Sequence, residues 1–130
     1  MSKEHPAVSL VPPGMRKAVP IDKEIAPLIQ AMWSLGISTN ASCQDHDGMV
    51  QIVMSVEDVR LFLTVVARHA DKKVARAAAR AGLGPEYWDL HLWSQAWERG
   101  KHTSIGLATA VYFPREHLAE VTKALATLAK

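Results

Sequence analysis

The passage from Glu86 to Phe113 constrains this chain more than any other: two residue-by-residue alternating runs are broken once, at Glu98-Arg-Gly-Lys-His102. Period-two alternation marks a half-buried strand, and a short glycine-bearing break between two such runs makes a hairpin. The segments around it repeat at helical spacing instead. Ile25, Leu28, Ile29, Met32 and Trp33 fall at i, i+3, i+4, i+7 and i+8, and Leu118, Val121, Leu125 and Leu128 make a second stripe after Pro114. A chain that carries both periods in separate segments belongs to the α+β class.

The remaining elements follow from their stops and caps. The first helix starts between Asp22 and Glu24 with Pro27 in its opening turn, and Gly36 ends it. Ile37 to Ser42 and Met49 to Met54 read as two strands joined through a Gln44 to Gly48 loop. Ser55 with Asp58 forms a capping box for a helix from about Val56 to His69. Asp71 caps a short helix, Lys72 to Ala81, rich in Ala, Arg and Lys and expected on the surface. The order α-ββ-α-α-ββ-α favours a two-layer sandwich, a four-stranded, mainly antiparallel sheet with the helices on one face.

With 130 residues and 48% of them apolar, the chain can close one core, assigned here to residues 21–130. Residues 1–20, with Pro6, Pro12, Pro13, Pro20 and Gly14, are expected to form a flexible tail. A lone cysteine and the lack of a long apolar run or leader pattern point to a reducing, cytoplasmic setting with no membrane span. Fifteen basic and thirteen acidic residues leave a net charge of +2, which gives little general reason to expect nucleic acid.

Parity divides the sheet into two faces. Ile37, Thr39, Ala41, Val50, Ile52, Met54, Trp88, Leu90, Leu92, Ala96, Ile105, Leu107, Thr109, Val111 and Phe113 are assigned beneath the helices. The other face receives Ser38, Asn40, Ser42, Gln51, Val53, Tyr87, Asp89, His91, Trp93, Gln95 and Trp97, over a floor of Ser104, Gly106, Ala108, Ala110 and Tyr112. Such a face suits a flat polar ligand, stacked on indoles and hydrogen-bonded to amides, or burial against a second copy of the chain.

Cys43, Gln44, Asp45 and His46 concentrate reactive groups at one end of that face. Cys43 and His46 have the spacing of half a zinc site, but no second cysteine completes it, so turn chemistry is preferred to a bound metal. A thiol beside an imidazole is also a nucleophile pair, for which spacing alone is weak support. Asp89 and His91 could act as acid and base, although side chains two apart on a strand stand roughly 7 Å from each other and need a bridging group. Lys72, Lys73, Arg76 and Arg80 make a cationic helix side that could meet phosphate, although a solvated face is the ordinary reading.

Ile21-Asp-Lys-Glu-Ile-Ala-Pro-Leu-Ile29, Leu35-Gly-Ile-Ser-Thr39 and Ser42-Cys-Gln-Asp-His46 resemble the opening of small bacterial and phage proteins with a G-I-x-T-x-x-S-C-Q-G-H strand and loop. Ser42 and Cys43 are also remotely similar to the Ser-Cys-Ser-Gly loop of the tRNA wybutosine-synthesising methyltransferase family, which implies an α+β fold and S-adenosylmethionine as cofactor. Asp45 stands where both patterns have glycine. The first resemblance implies a phage or mobile-element setting and no particular reaction.

The sequence therefore leads to a small-molecule or nucleotide-binding module, non-catalytic, with no cofactor assigned and homo-oligomeric. Its expected ligand contacts are Ser42, Cys43, Gln44, Asp45, His46, Asp89, His91, Trp93, Gln95 and Trp97. The alternatives are a nucleotide- or RNA-directed methyltransferase or metal-dependent enzyme centred on Cys43, His46, Asp89 and His91, and an interaction module that uses its aromatic face.

Overall fold

The computed structural model describes residues 6–129, and the side chains of His46 and Trp97 lie outside that description. Strands β1 (Ala7–Leu10) and β2 (Val19–Asp22) precede helix α1 (Ala26–Ser34), then come β3 (Ala41–His46), β4 (Met49–Ser55), α2 (Val56–His69), α3 (Lys72–Ala79), β5 (Asp89–Arg99), β6 (His102–Pro114) and α4 (Leu118–Ala129). The main sheet is antiparallel throughout, in the order β3-β4-β6-β5. Its helix-facing side buries Val50, Ile52, Met54, Val111 and Phe113 against Leu28, Ile29, Phe62, Val66 and Leu125, which makes the α+β two-layer arrangement. Among the described residues no helix is long and apolar enough to cross a membrane.

Local chemistry accounts for the helices. The Ser55 hydroxyl accepts the Asp58 N–H at 3.2 Å, and the Asp71 carboxylate accepts the Val74 N–H at 2.9 Å, so α2 and α3 both start on capped amides. The short α3 is less superficial than its composition suggests, because Val74, Ala77 and Ala78 are buried. At the other end Pro114 does not open a regular helix. It caps a 3-10 turn, Arg115–His117, which leads into α4.

The expected tail is regular from Ala7 onward. β1 and β2 pair antiparallel from Ala7↔Asp22 to Leu10↔Val19, and Val8, Leu10 and Val19 pack on the core, so the apolar residues between the prolines have a surface to cover. The first residues of the 1–20 segment, up to His5, lie outside the described residues.

Two corrections concern the hairpins. The first is tighter than the expected Gln44 to Gly48 loop: His46 pairs with Met49, and only Asp47 (φ 54°) and Gly48 (φ 81°) turn the chain. Two successive positive φ angles are those of a type I′ turn, for which Asp-Gly is a favoured pair. The second hairpin turns through Gly100 and Lys101 and outruns the sheet. β4 reaches only to Ala108 of β6, yet β5 and β6 stay paired from Ser94↔Leu107 to Arg99↔His102, an arm of about 20 Å. Leu92, Ile105 and Leu107, expected in the core, are therefore 62%, 71% and 51% exposed, because the helix layer ends before it reaches them. Ala96 is exposed for the same reason.

Candidate functional site: the outer sheet face

Register decides which side chains meet on the side away from the helices, because directly opposed residues of an antiparallel pair project to the same side. Gln51 of β4 lies opposite Tyr112 of β6, which lies opposite Asp89 of β5, and Cys43 of β3 lies opposite Gln51. One row thus crosses all four strands as Cys43, Gln51, Tyr112 and Asp89. Beside it runs Ala41, Val53, Ala110 and His91, then Ala108 with Trp93.

Two side-chain hydrogen bonds involve members of this row. The Gln51 amide Nε2 donates to the Tyr112 hydroxyl at 2.9 Å, and His91 Nε2 meets Asp89 Oδ2 at 3.0 Å. His91 also stands edge-on to the Tyr112 ring, with centroids 5.2 Å apart. The expected gap of roughly 7 Å between Asp89 and His91 is closed by side-chain rotation, and no bridging group is needed. An aspartate on the imidazole fixes the ring's orientation and its tautomer, a common preparation for hydrogen-bonding a ligand or moving a proton.

The floor is closed. Ala108 and Ala110 are each 1% exposed and form a small second core with Val53, against which Tyr112 packs. The small residues thus let Tyr112 lie down over the sheet, and what reaches solvent is a rim of His91, Asp89 and the half-exposed Trp93, with Gln95 further along.

The expected contact residues separate into two groups. Asp89, His91, Trp93 and Gln95 share one file on β5, and Cys43 is on the same side, two strand spacings from Tyr112, about 10 Å. Trp97 pairs with Ser104 on the arm and His46 with Met49 at the turn, but their side chains lie outside the described residues. Ser42 is on the opposite side from its expected face. It pairs with Ile52 and lines a cavity with Trp33, Thr39 and Pro20, because the strand begins at Ala41, and the parity counted from Ile37 does not hold across the irregular approach.

Gln44 and Asp45 are engaged in holding the fold. A bulge between Cys43 and His46 turns Gln44 inward, to 4% exposure. Its side-chain oxygen accepts the Glu24 N–H at 2.9 Å, just ahead of α1, and its own backbone N–H donates to the Asp22 carboxylate at 3.0 Å. Asp45 accepts the Gly48 N–H at 2.8 Å across the turn and takes a hydrogen bond from Arg115 at 3.3 Å. Arg115 also binds Glu24 at 2.7 Å, and that hydrogen bond raises the already high guanidinium pKa. Among the described residues no three His, Cys, Asp or Glu side chains are grouped to hold a metal.

Family models, curated proteins and solved structures give no match to the chain. The site rests on its own geometry.

Gln51 and Tyr112, absent from the expected contact set, are the residues that connect it. Parity puts both on this face. Their partnership depends on β4 and β6 being neighbours, which no local signal in either strand specifies.

Proposed function

We propose that the protein is a non-catalytic binding module for a small, flat, polar molecule of the nucleobase or nucleoside kind. The ligand is held on the outer face by Trp93, His91, Asp89 and Gln95, with Gln51 and Tyr112 behind them. The observation that supports this most is the ordered row Gln51–Tyr112 and His91–Asp89, in which donors and acceptors stand beside an accessible indole. Stacking on an aromatic surface with a few directed hydrogen bonds is how such ligands are recognised. A single cysteine without a partner supports a reducing, cytoplasmic setting for it. The test is titration with nucleobases, nucleosides, nucleotides and S-adenosylmethionine, followed by tryptophan emission and melting temperature. Saturable quenching that Trp93→Phe and His91→Ala both abolish is expected, whereas silence across the panel ends the reading. A response to S-adenosylmethionine alone would favour the methyltransferase alternative.

A second reading, self-association, is supported by the arm. Ile105 and Leu107 are exposed on one side of a two-stranded ribbon, with Leu92 on the same side at its root, and ribbons of that kind are marginal in water by themselves. The free edge of β6 from Thr103 to Leu107 carries no charge, proline or bulge to deter pairing. A second copy meeting this arm about a two-fold axis would cover both the apolar side chains and the edge. Sedimentation or light scattering at micromolar concentration tests it, and a monomer there removes it.

A further inference from the structure

A second concave site lies on the helix side of the molecule. A cavity of about 620 Å³ opens between α3, the segment before β5 and the 3-10 turn after β6. Lys72, Lys73 and Arg76 line it from α3, Glu86 and Tyr87 from the segment before β5, and Glu116 and His117 from the 3-10 turn. A volume in this range is typical of small-ligand sites.

Three features distinguish it from an ordinary solvated helix face. Its three cations and two carboxylates line one cavity, yet none of the five makes a side-chain hydrogen bond or ion pair with another described residue. Opposite charges gathered around a hollow without pairing leave their hydrogen-bonding capacity to whatever enters. The second feature is His117, only 8% exposed. Its Nδ1 accepts the Trp88 indole N–H at 3.0 Å, so the neutral ring carries its proton on Nε2, which has no partner among the described residues. Burial lowers the pKa of this imidazole below its ordinary 6.5, an effect that Lys73 reinforces and that Glu116 and Asp71 oppose, so the ring is a fixed neutral donor at pH 7. With Nδ1 taken by Trp88, Nε2 is the nitrogen that opens to solvent in the cavity and is available to a ligand there. Third, Tyr87 holds a flat ring at the cavity's edge, with the Arg80 guanidinium 5.9 Å from its centroid.

We propose that this cavity binds a phosphomonoester of a polyhydroxylated molecule, such as a sugar phosphate. The phosphate sits among Lys72, Lys73, Arg76 and the His117 Nε2–H, and the hydroxyls donate to the Glu86 and Glu116 carboxylates. Charged hydrogen bonds from lysine and arginine are the strong ones for phosphate, and the carboxylates explain why a bare anion is a poorer match than an anion carrying hydroxyl groups. The site is separate from the outer-face reading and does not depend on it.

The test uses the full chain with three probes, ribose 5-phosphate, inorganic phosphate and ribose, followed by calorimetry and phosphorus NMR. Ribose 5-phosphate is expected to bind one to one, at least tenfold tighter than inorganic phosphate, with no detectable binding of ribose. Arg76→Gln and Lys73→Gln, both on the exposed side of α3, should each weaken it at least tenfold at unchanged melting temperature. Glu116→Gln should weaken ribose 5-phosphate and leave inorganic phosphate as tight or tighter. His117→Gln supports the site if it folds and loses affinity, and if it unfolds the α3 variants decide alone. The proposal is overturned if ribose 5-phosphate does not bind at millimolar concentration, if the Arg76→Gln/Lys73→Gln double variant binds it undiminished, or if inorganic phosphate binds as well. A short single-stranded RNA that binds more tightly than ribose 5-phosphate, and loses that binding in the double variant, also overturns it. None of these variants touches Trp93 or His91, so failure here leaves the outer-face titration independent.

Discussion

The two hairpins of the main sheet use their side chains in opposite ways. The first, β3–β4, is short, bulged and pinned: Gln44 and Asp45 each hold backbone amides, and Arg115 ties Asp45 to Glu24. The second, β5–β6, is long and runs past its cover, leaving ordinary aliphatic residues exposed on one side and a polar, aromatic file on the other. Residues with reactive side chains are thus partly scaffolding in the first hairpin, while Leu92, Ile105 and Leu107 of the second are left without cover. Function is better sought where burial and hydrogen bonding do not already account for a side chain.

The contrast can be broken most forcefully at the root of the second hairpin. Trp88 is 1% exposed, stacks on Phe113 with centroids 4.6 Å apart, and donates to His117. Trp88→Ala should cost about 3–5 kcal/mol in chemical denaturation, from lost burial and the cavity left behind. Trp93→Ala, five positions along and half exposed, should change stability by about 0.5 kcal/mol or less while abolishing ligand quenching. Equal losses for the two would mean that the arm is as well covered as its root.

For the first hairpin, Gln44→Ala should cost about 0.5–1.5 kcal/mol, because the part-buried hydrogen bond to the Glu24 N–H is lost. Cys43→Ser should leave the melting temperature nearly unchanged, since Cys43 is half buried on the outer face and its thiol makes no hydrogen bond among the described residues. If instead Gln44→Ala is silent and Cys43→Ser is damaging, the assignment of scaffold and surface within β3 is reversed.

How much of this could be read beforehand differs by element. α2 starts and ends where the Ser55–Asp58 box and the stripe of Val59, Phe62 and Val66 place it, because capping and amphipathic spacing are local. The outer file of Asp89, His91, Trp93 and Gln95 was legible for the same reason, strand parity being local. The face of Ser42 was not, since it turns on where pairing begins, at Ala41. Nor was the exposure of Leu92, Ile105 and Leu107, because alternation says which residues share a side but not whether a helix lies over them. The hydrogen bond that fixes the His117 ring joins it to Trp88, 29 positions earlier, and has no local signal at all.

His117 supplies a smaller, pH-dependent effect. Well above pH 6.5 the imidazole is neutral in the folded and unfolded chain alike, and its contribution to stability is intact. Because burial lowers the folded pKa, the unfolded chain takes up the proton first as pH falls below 6.5, so stability declines until the folded pKa is passed and then levels off. Denaturation midpoints of the wild type and His117→Gln between about pH 7.5 and 5 should converge as pH falls. Parallel curves would show that His117 titrates as an ordinary exposed histidine.

The smallest stability effect separates most sharply an arm that is covered in solution from one that is not. Leu92, Ile105 and Leu107 are mostly exposed in the single chain, so Ile105→Lys or Leu107→Lys should shift monomer stability by no more than about 0.5 kcal/mol. If a second copy covers the arm, each of these changes places an unpaired charge in an apolar interface, and the dimer dissociation constant should rise at least tenfold, the minimum expected when such a charge must be buried. The melting temperature should then lose its dependence on protein concentration, because only an associated state gains stability by mass action. A wild-type protein that melts at one temperature across a hundredfold range of concentration has no partner of its own kind on this face. In that case the aliphatic side of the arm stays as exposed in solution as the fold leaves it.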